Sequence, residues 1–178
     1  MSLGCRGKPA TNKHRMNPEL YNFAARLRES ITLGFQNESF DAFALKLFEL
    51  QFKYNSAYRK ICETRGRTPE TVEHWTQIPA VPTAAFKELE LTSIAPGERT
   101  TVFHSSGTTE QKPSRHFHNA ESLALYEASL GKWFEKNVLN PESRIQSPEL
   151  ICLTPSPDDA PNSSLVHMLE AIRKEIGG

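Results

Sequence analysis

The sequence predicts an α/β fold in which a helical N-terminal region leads into the first strands of a sheet. Three observations predict it. Residues 17–77 read as helices in series, opened by capping residues and carrying apolar side chains at three-to-four spacing. Pro79 and Pro82 then force a stretch of extended chain. Beyond them, residues 100–176 run strand, loop, helix, strand, helix, an order suited to an α/β sheet.

The first helix opens at Asn17-Pro18-Glu19, which supplies an N-cap, a proline where its missing N–H costs nothing, and an acid at the positive end. It runs through "ELYNFAARLRESIT" and stops at Gly34. A second begins at Ser39 and carries Phe40, Phe43, Leu47, Leu50 and Tyr54 on one stripe, widened by Phe48 and Phe52. A third, capped by Asn55 or Ser56, continues to about Gly66. A short fourth is expected from Thr68-Pro69-Glu70 through Trp75. Thr83 is placed to cap one or two turns carrying Phe86 and Leu89. The β-branched and aromatic run 100–103 predicts a strand ending by His104, and residues 119–139 a helix with Leu123, Tyr126, Leu130 and Phe134 on one face. A second strand is expected at 149–153, "ELICL", and a final helix from Ser163 or Ser164 to the closing glycines.

The 178 residues suit one domain with a real core, 38% of them hydrophobic and 24% charged. Residues 1–16 read as a flexible tail or an expression scar, 17–77 as the helical region, and 78–178 as the start of an incomplete α/β nucleotide-binding domain. Two strands do not make an independently stable sheet, so the expectation is a fragment of a larger domain. Basic and acidic side chains balance at 21 each, which gives no bulk attraction for nucleic acid or an anionic membrane. No apolar run is long enough to span a bilayer. Cys5, Cys62 and Cys152 form no CxxC pair, and a reducing, cytoplasmic setting is expected. Cys62 and Cys152 are expected in the core.

The chemistry sits in "VFHSSGTTEQKPSRHFH", residues 102–118. Polyphosphate requires many hydrogen-bond donors with little bulk. Ser105, Ser106, Thr108 and Thr109 offer four hydroxyls, and Gly107 permits the positive φ that a nest of backbone N–H groups needs. Lys112 can set a mobile positive charge over the outer phosphates. The run is not GxxxxGK[ST], because no glycine precedes the lysine. A hydrophilic surface turn is the competing reading. His104, His116 and His118 have no spacing that matches a zinc pattern, so no metal site is assigned.

"FHSSGTTEQKPS" resembles the phosphate-binding motif of adenylate-forming enzymes, Ser/Thr-Ser/Thr-Gly-Thr-Thr-Gly followed by Lys and Pro. The upstream "IPAVPTAAFKELEL" and downstream "LICLTPSPDDAPNSSLVHML" are similar to the LuxE-like acyl-protein synthetase branch, and His104 to phenylacetate–CoA ligases. This resemblance implies an adenylate-forming type of sheet and an ATP-dependent ligase with Mg2+. Its substrate would be a carboxylic acid, fatty or aryl, activated to an acyl-adenylate. The acyl group would pass to an acceptor-protein thiol or to coenzyme A. Ser105, Ser106, Gly107, Thr108 and Thr109 would grip the phosphates. Lys112 would neutralise the leaving pyrophosphate, and His104 would lie near the carboxyl substrate. Glu110 stands where the family has a second glycine, and has to point away or pair with Lys112 or Arg115. It favours the alternative, a non-catalytic helical binding or assembly module with a degenerate phosphate loop.

Overall fold

The structure, a computed structural model, describes residues 17–35, 39–105, 112–139 and 151–177. It is mixed α and β, with helix predominating. The elements are α1 (Pro18–Leu33), α2 (Phe40–Tyr54), α3 (Ser56–Thr64), α4 (Ala85–Glu88), β1 (Thr101–His104), β2 (Arg115–His118), α5 (Ala120–Asn137) and α6 (Ser164–Gly177). None of the described helices is long and apolar enough to cross a membrane.

The caps explain where the helices start. Asn17 Oδ1 accepts from the Glu19 N–H at 2.9 Å, Ser39 Oγ from Ala42 at 3.2 Å, and Asn55 Oδ1 from Tyr58 at 3.1 Å. Gly34 and Gly66 take left-handed conformations, with φ of +86° and +61°, where α1 and α3 stop. Asn119 and Ser122 exchange side-chain and backbone hydrogen bonds at the start of α5.

Two packed regions follow. Phe48, Tyr58, Cys62 and Val72 form a buried cluster under α2 and α3. Burial raises the Cys62 thiol pKa, and Tyr58 donates its hydroxyl to Pro79 O at 2.9 Å. The aromatic stripe of α2 reaches α1 through Phe43, whose ring meets Phe23 and Phe35 edge-on. On the other side, α5 packs against both α1 and α6, and Ile172 of α6 is fully buried.

Three expectations are corrected. The helix expected over 69–75 is a turn followed by a 3-10 turn at Trp75–Gln77. Thr71 Oγ1 accepts from the Thr68 N–H at 2.9 Å, Gln77 Oε1 from the His74 N–H at 3.2 Å and His74 Nδ1 from the Thr76 N–H at 3.3 Å, so side chains take up groups a helix would use. Second, α4 forms where expected, but its N-cap position is Ala84, with no side-chain cap. Third, residues 151–153 are irregular rather than strand; Ile151 and Leu153 are 74% and 95% exposed, without a partner strand to pair with among the described residues. Cys152 is half-buried between them, outside the core. Residues 149–150 lie outside the described residues.

Instead, the second strand is β2. It pairs antiparallel with β1, Thr101 opposite His118 and His104 opposite Arg115, so the segment expected to be all loop forms a hairpin. Cross-strand partners share a face. Phe103, His116 and His118 therefore face one way, and His104, Arg115 and Phe117 the other. Phe103 is buried, its ring centroid 5.1 Å from His118, 5.2 Å from His167 and 6.2 Å from Tyr126. Packing on helices supplies what a bare two-stranded sheet lacks.

Candidate functional site

The hairpin connection runs from Ser105 to Ser114, and its two ends are fastened to each other. The Ser105 N–H donates to Ser114 O at 3.2 Å, and the Ser114 N–H donates to Ser105 Oγ at 2.9 Å. Ser114 is buried, and its Oγ shares a hydrogen bond of 3.1 Å with His116 Nε2. The hydroxyls at both ends are therefore oriented by backbone and ring rather than by water.

Short α4 braces the returning arm at two points. Phe86 stacks on the His116 ring at 5.0 Å between centroids, with the planes 29° apart. Two residues on, Glu88 Oε2 holds Lys112 Nζ at 2.6 Å. Both of those charged side chains remain largely solvent-facing, 67% and 58% exposed, so the lysine is positioned without being desolvated. Glu88, Ser114 and His116 were not singled out as site residues in the sequence. The signal available for Glu88 was its place in "AFKELEL", just after the proline-enforced extension that folds back on the loop.

His104 closes β1 on the outer face. It is exposed, and its backbone N–H donates to Asn162 O at 2.9 Å, which fastens the strand end to the segment before α6. Arg115 and Arg99 lie over the Phe117 ring, at 5.5 and 4.3 Å from its centroid. His104 and Ser105 thus end the outgoing strand, and Lys112 lies two residues before Ser114, the residue fastened to Ser105. Ser106, Gly107, Thr108 and Thr109, with Glu110 and Gln111, lie outside the described residues.

On the inner face, His118 Nδ1 and Ser122 Oγ lie 3.3 Å apart, and His167 Nε2 lies 2.8 Å from Glu127 Oε1. Burial, reinforced by the neighbouring His116 and His167, holds the His118 pKa below the ordinary histidine value. These rings pack around Phe103 and form the hairpin's support. Among the described residues, no group of three or more His, Cys, Asp or Glu side chains is placed to hold a metal ion. No residue set is therefore assigned to magnesium.

Cavities also lie in the helical parts of the described residues. A cleft of about 740 Å³ lies among α1, α5 and α6 and carries both signs of charge, including Arg28, Lys132, Glu127 and Glu170. An apolar groove of about 490 Å³ runs beside α2 and counts Phe86, the ring that braces the hairpin, in its lining. Comparison with protein-family models, curated proteins and solved structures finds no match to the chain.

Proposed function

We propose that this chain carries the phosphate-gripping part of an ATP-dependent ligase that activates a carboxylic acid to an acyl-adenylate. Its acyl group then passes to a protein thiol or to coenzyme A, on a sheet of the adenylate-forming type. The observation that carries the reading is the fastened hairpin base. Ser105 and Lys112 stand at the two ends of a Ser/Thr/Gly connection, and the lysine is held by a single exposed carboxylate that it can leave.

In the proposed reaction the substrate carboxylate oxygen forms a bond to the α-phosphorus of ATP, and the bond from that phosphorus to the bridging oxygen breaks. The electron pair leaves on pyrophosphate. Lys112 meets the charge that gathers there, and the hydroxyl of Ser105 donates to a phosphate oxygen while its lone pair keeps the Ser114 N–H. Magnesium, bound to the phosphates, would supply further charge neutralisation. His104, exposed at the end of β1, would meet the carboxyl group in this reading.

The test is carboxylate-dependent ATP–pyrophosphate exchange by the native gene product with short, long and aromatic acids, beside Lys112→Ala. Exchange with one acid class, weakened by the substitution, supports adenylation. A folded protein that neither exchanges with any acid nor binds ATP ends this reading. The second reading, a helical binding or assembly module with a degenerate loop, is favoured by the Glu88 pairing, which occupies the lysine a nucleotide would need.

A further inference from the structure

We infer that β2 is a proton-operated clasp: protonating His118 lets the hairpin leave α5 and α6 while the α2–α3 core stays folded. The device does not depend on the adenylation reading.

His118 sits half-buried on the inner face of the hairpin, and its neighbours come from every element packed there. Phe103 of β1 lies 5.1 Å away between ring centroids. From α5, the Tyr126 ring lies at 6.0 Å, and Ser122 Oγ lies 3.3 Å from Nδ1. From α6 comes His167, whose ring also packs on Phe103, and β2 itself adds His116. None of these groups carries the negative charge that an imidazolium needs. Burial holds Tyr126 above the ordinary tyrosine value, so it stays neutral throughout the histidine range. The acids of α5 are engaged elsewhere: Glu121 with Arg28 of α1 at 3.7 Å, Glu127 with His167 at 2.8 Å and Glu135 with Lys132 at 3.1 Å. His118 makes no ion pair among the described residues.

A neutral ring suits this setting, whereas a charged one loses water there and gains no counter-charge. The other two rings are provided for. His167 has Glu127, and the exposed His116 lies against the face of Phe86, which accepts a cation. Each adds like charge beside His118 when it takes a proton. The docked hairpin therefore resists a proton that the released one accepts, and acid favours release below about pH 6.5. The hairpin can leave by itself because two strands have little stability of their own. What seats it is local: Phe103 among the rings, His118 on Ser122, and the His104 N–H on Asn162 O at 2.9 Å. The buried cluster of Phe48, Tyr58, Cys62 and Val72 includes none of these residues.

The test is amide hydrogen exchange of the full chain at pH 7 and pH 5, without nucleotide. Each rate is divided by that of an unstructured peptide at the same pH, and His118→Gln and His118→Phe are measured beside the wild type. A docked ring that took no proton at all would give the released state a gain of about 25-fold over this interval, which is the upper limit. Protection of the β1 and β2 amides is expected to fall by about 5- to 25-fold. At pH 5 it should lie at least about tenfold below that of Phe48 and Leu50 in α2. Neither variant titrates, and the apolar one suits the aromatic surroundings, so one serves should the other fail to fold. In a folded variant the fall should shrink to about twofold or less. No fall in the wild type, or a fall of the same size in a folded variant, overturns the inference. Equal protection of hairpin and α2 amides at pH 5 overturns it too, because the hairpin then opens only with the whole chain.

Discussion

Glu88→Gln and Lys112→Ala, made singly and together, separate what the ion pair does for stability from what the lysine does for chemistry. The pair is short, 2.6 Å, yet both side chains are more than half exposed. Exposed pairs contribute about 0.2–1 kcal/mol, and salt weakens them further. Either variant should therefore lower the unfolding free energy by less than about 1 kcal/mol, a shift of about 2–4 °C in Tm for a chain of this size. Removing a preorganised donor from a site of developing charge costs about 100- to 1000-fold in rate, so pyrophosphate exchange by Lys112→Ala should fall by that much. Glu88→Gln releases the lysine instead, and ATP affinity should rise up to about fivefold, the factor that corresponds to 1 kcal/mol. The double variant should exchange as poorly as Lys112→Ala alone. Thermal melts and exchange assays on the same preparations decide the matter. If Lys112→Ala loses more than about 3 kcal/mol of stability, or exchanges normally while Glu88→Gln is impaired, the lysine is a structural clasp and the reasoning fails.

Phe103→Ala removes the buried ring around which His118, His167 and Tyr126 gather, and urea unfolding should show a loss of about 3–5 kcal/mol. Asn119→Ala breaks the reciprocal cap of α5 and should cost about 0.5–2 kcal/mol by the same measurement. The His118 pKa is depressed in the folded protein, so unfolding takes up a proton between that value and about 6.5. Stability contributed by His118 is thus full above about pH 6.5 and falls as the pH drops toward the lowered value, and His118→Gln should flatten that slope in denaturant midpoints measured from pH 7 to 5. Glu170, held to about 2 chiefly by Arg173, titrates well below that window and does not confound it.

The helices were legible because their ends are written in local chemistry. Asn17, Ser39 and Asn55 each cap the helix that their position in the sequence suggests. The strand β2 was not, because "RHFH" lacks the β-branched residues by which strands are recognised. Its stability comes from contacts distant in sequence: Phe86 on His116, and Arg99 over Phe117. "ICL" misled for the opposite reason, since apolar residues without a partner strand remain exposed. At the site, hydroxyl and lysine chemistry could be read from composition and order. The Lys112 partner could not, because Glu88 is 24 residues away and only the docking of α4 brings it near. Phe40 and Leu47 read as core stripe, and only the positions of Trp75 and Phe86 show an open channel beside them.

The seat of α1 on α5 has a consequence during synthesis. α1 is complete at Leu33, while its partner surface is not complete until Asn137, about a hundred residues later. Translation proceeds at about 5–20 residues per second, so that face waits roughly 5–20 s beside the ribosome before its mate emerges. Charges on α1 such as Glu19 and Arg28, later bound by Lys53 and Glu121, help keep the nascent helix dispersed in that interval. Synonymous codons that slow ribosomes between residues 34 and 137 would lengthen the interval, and with it the demand on chaperones, without altering one atom of the folded protein.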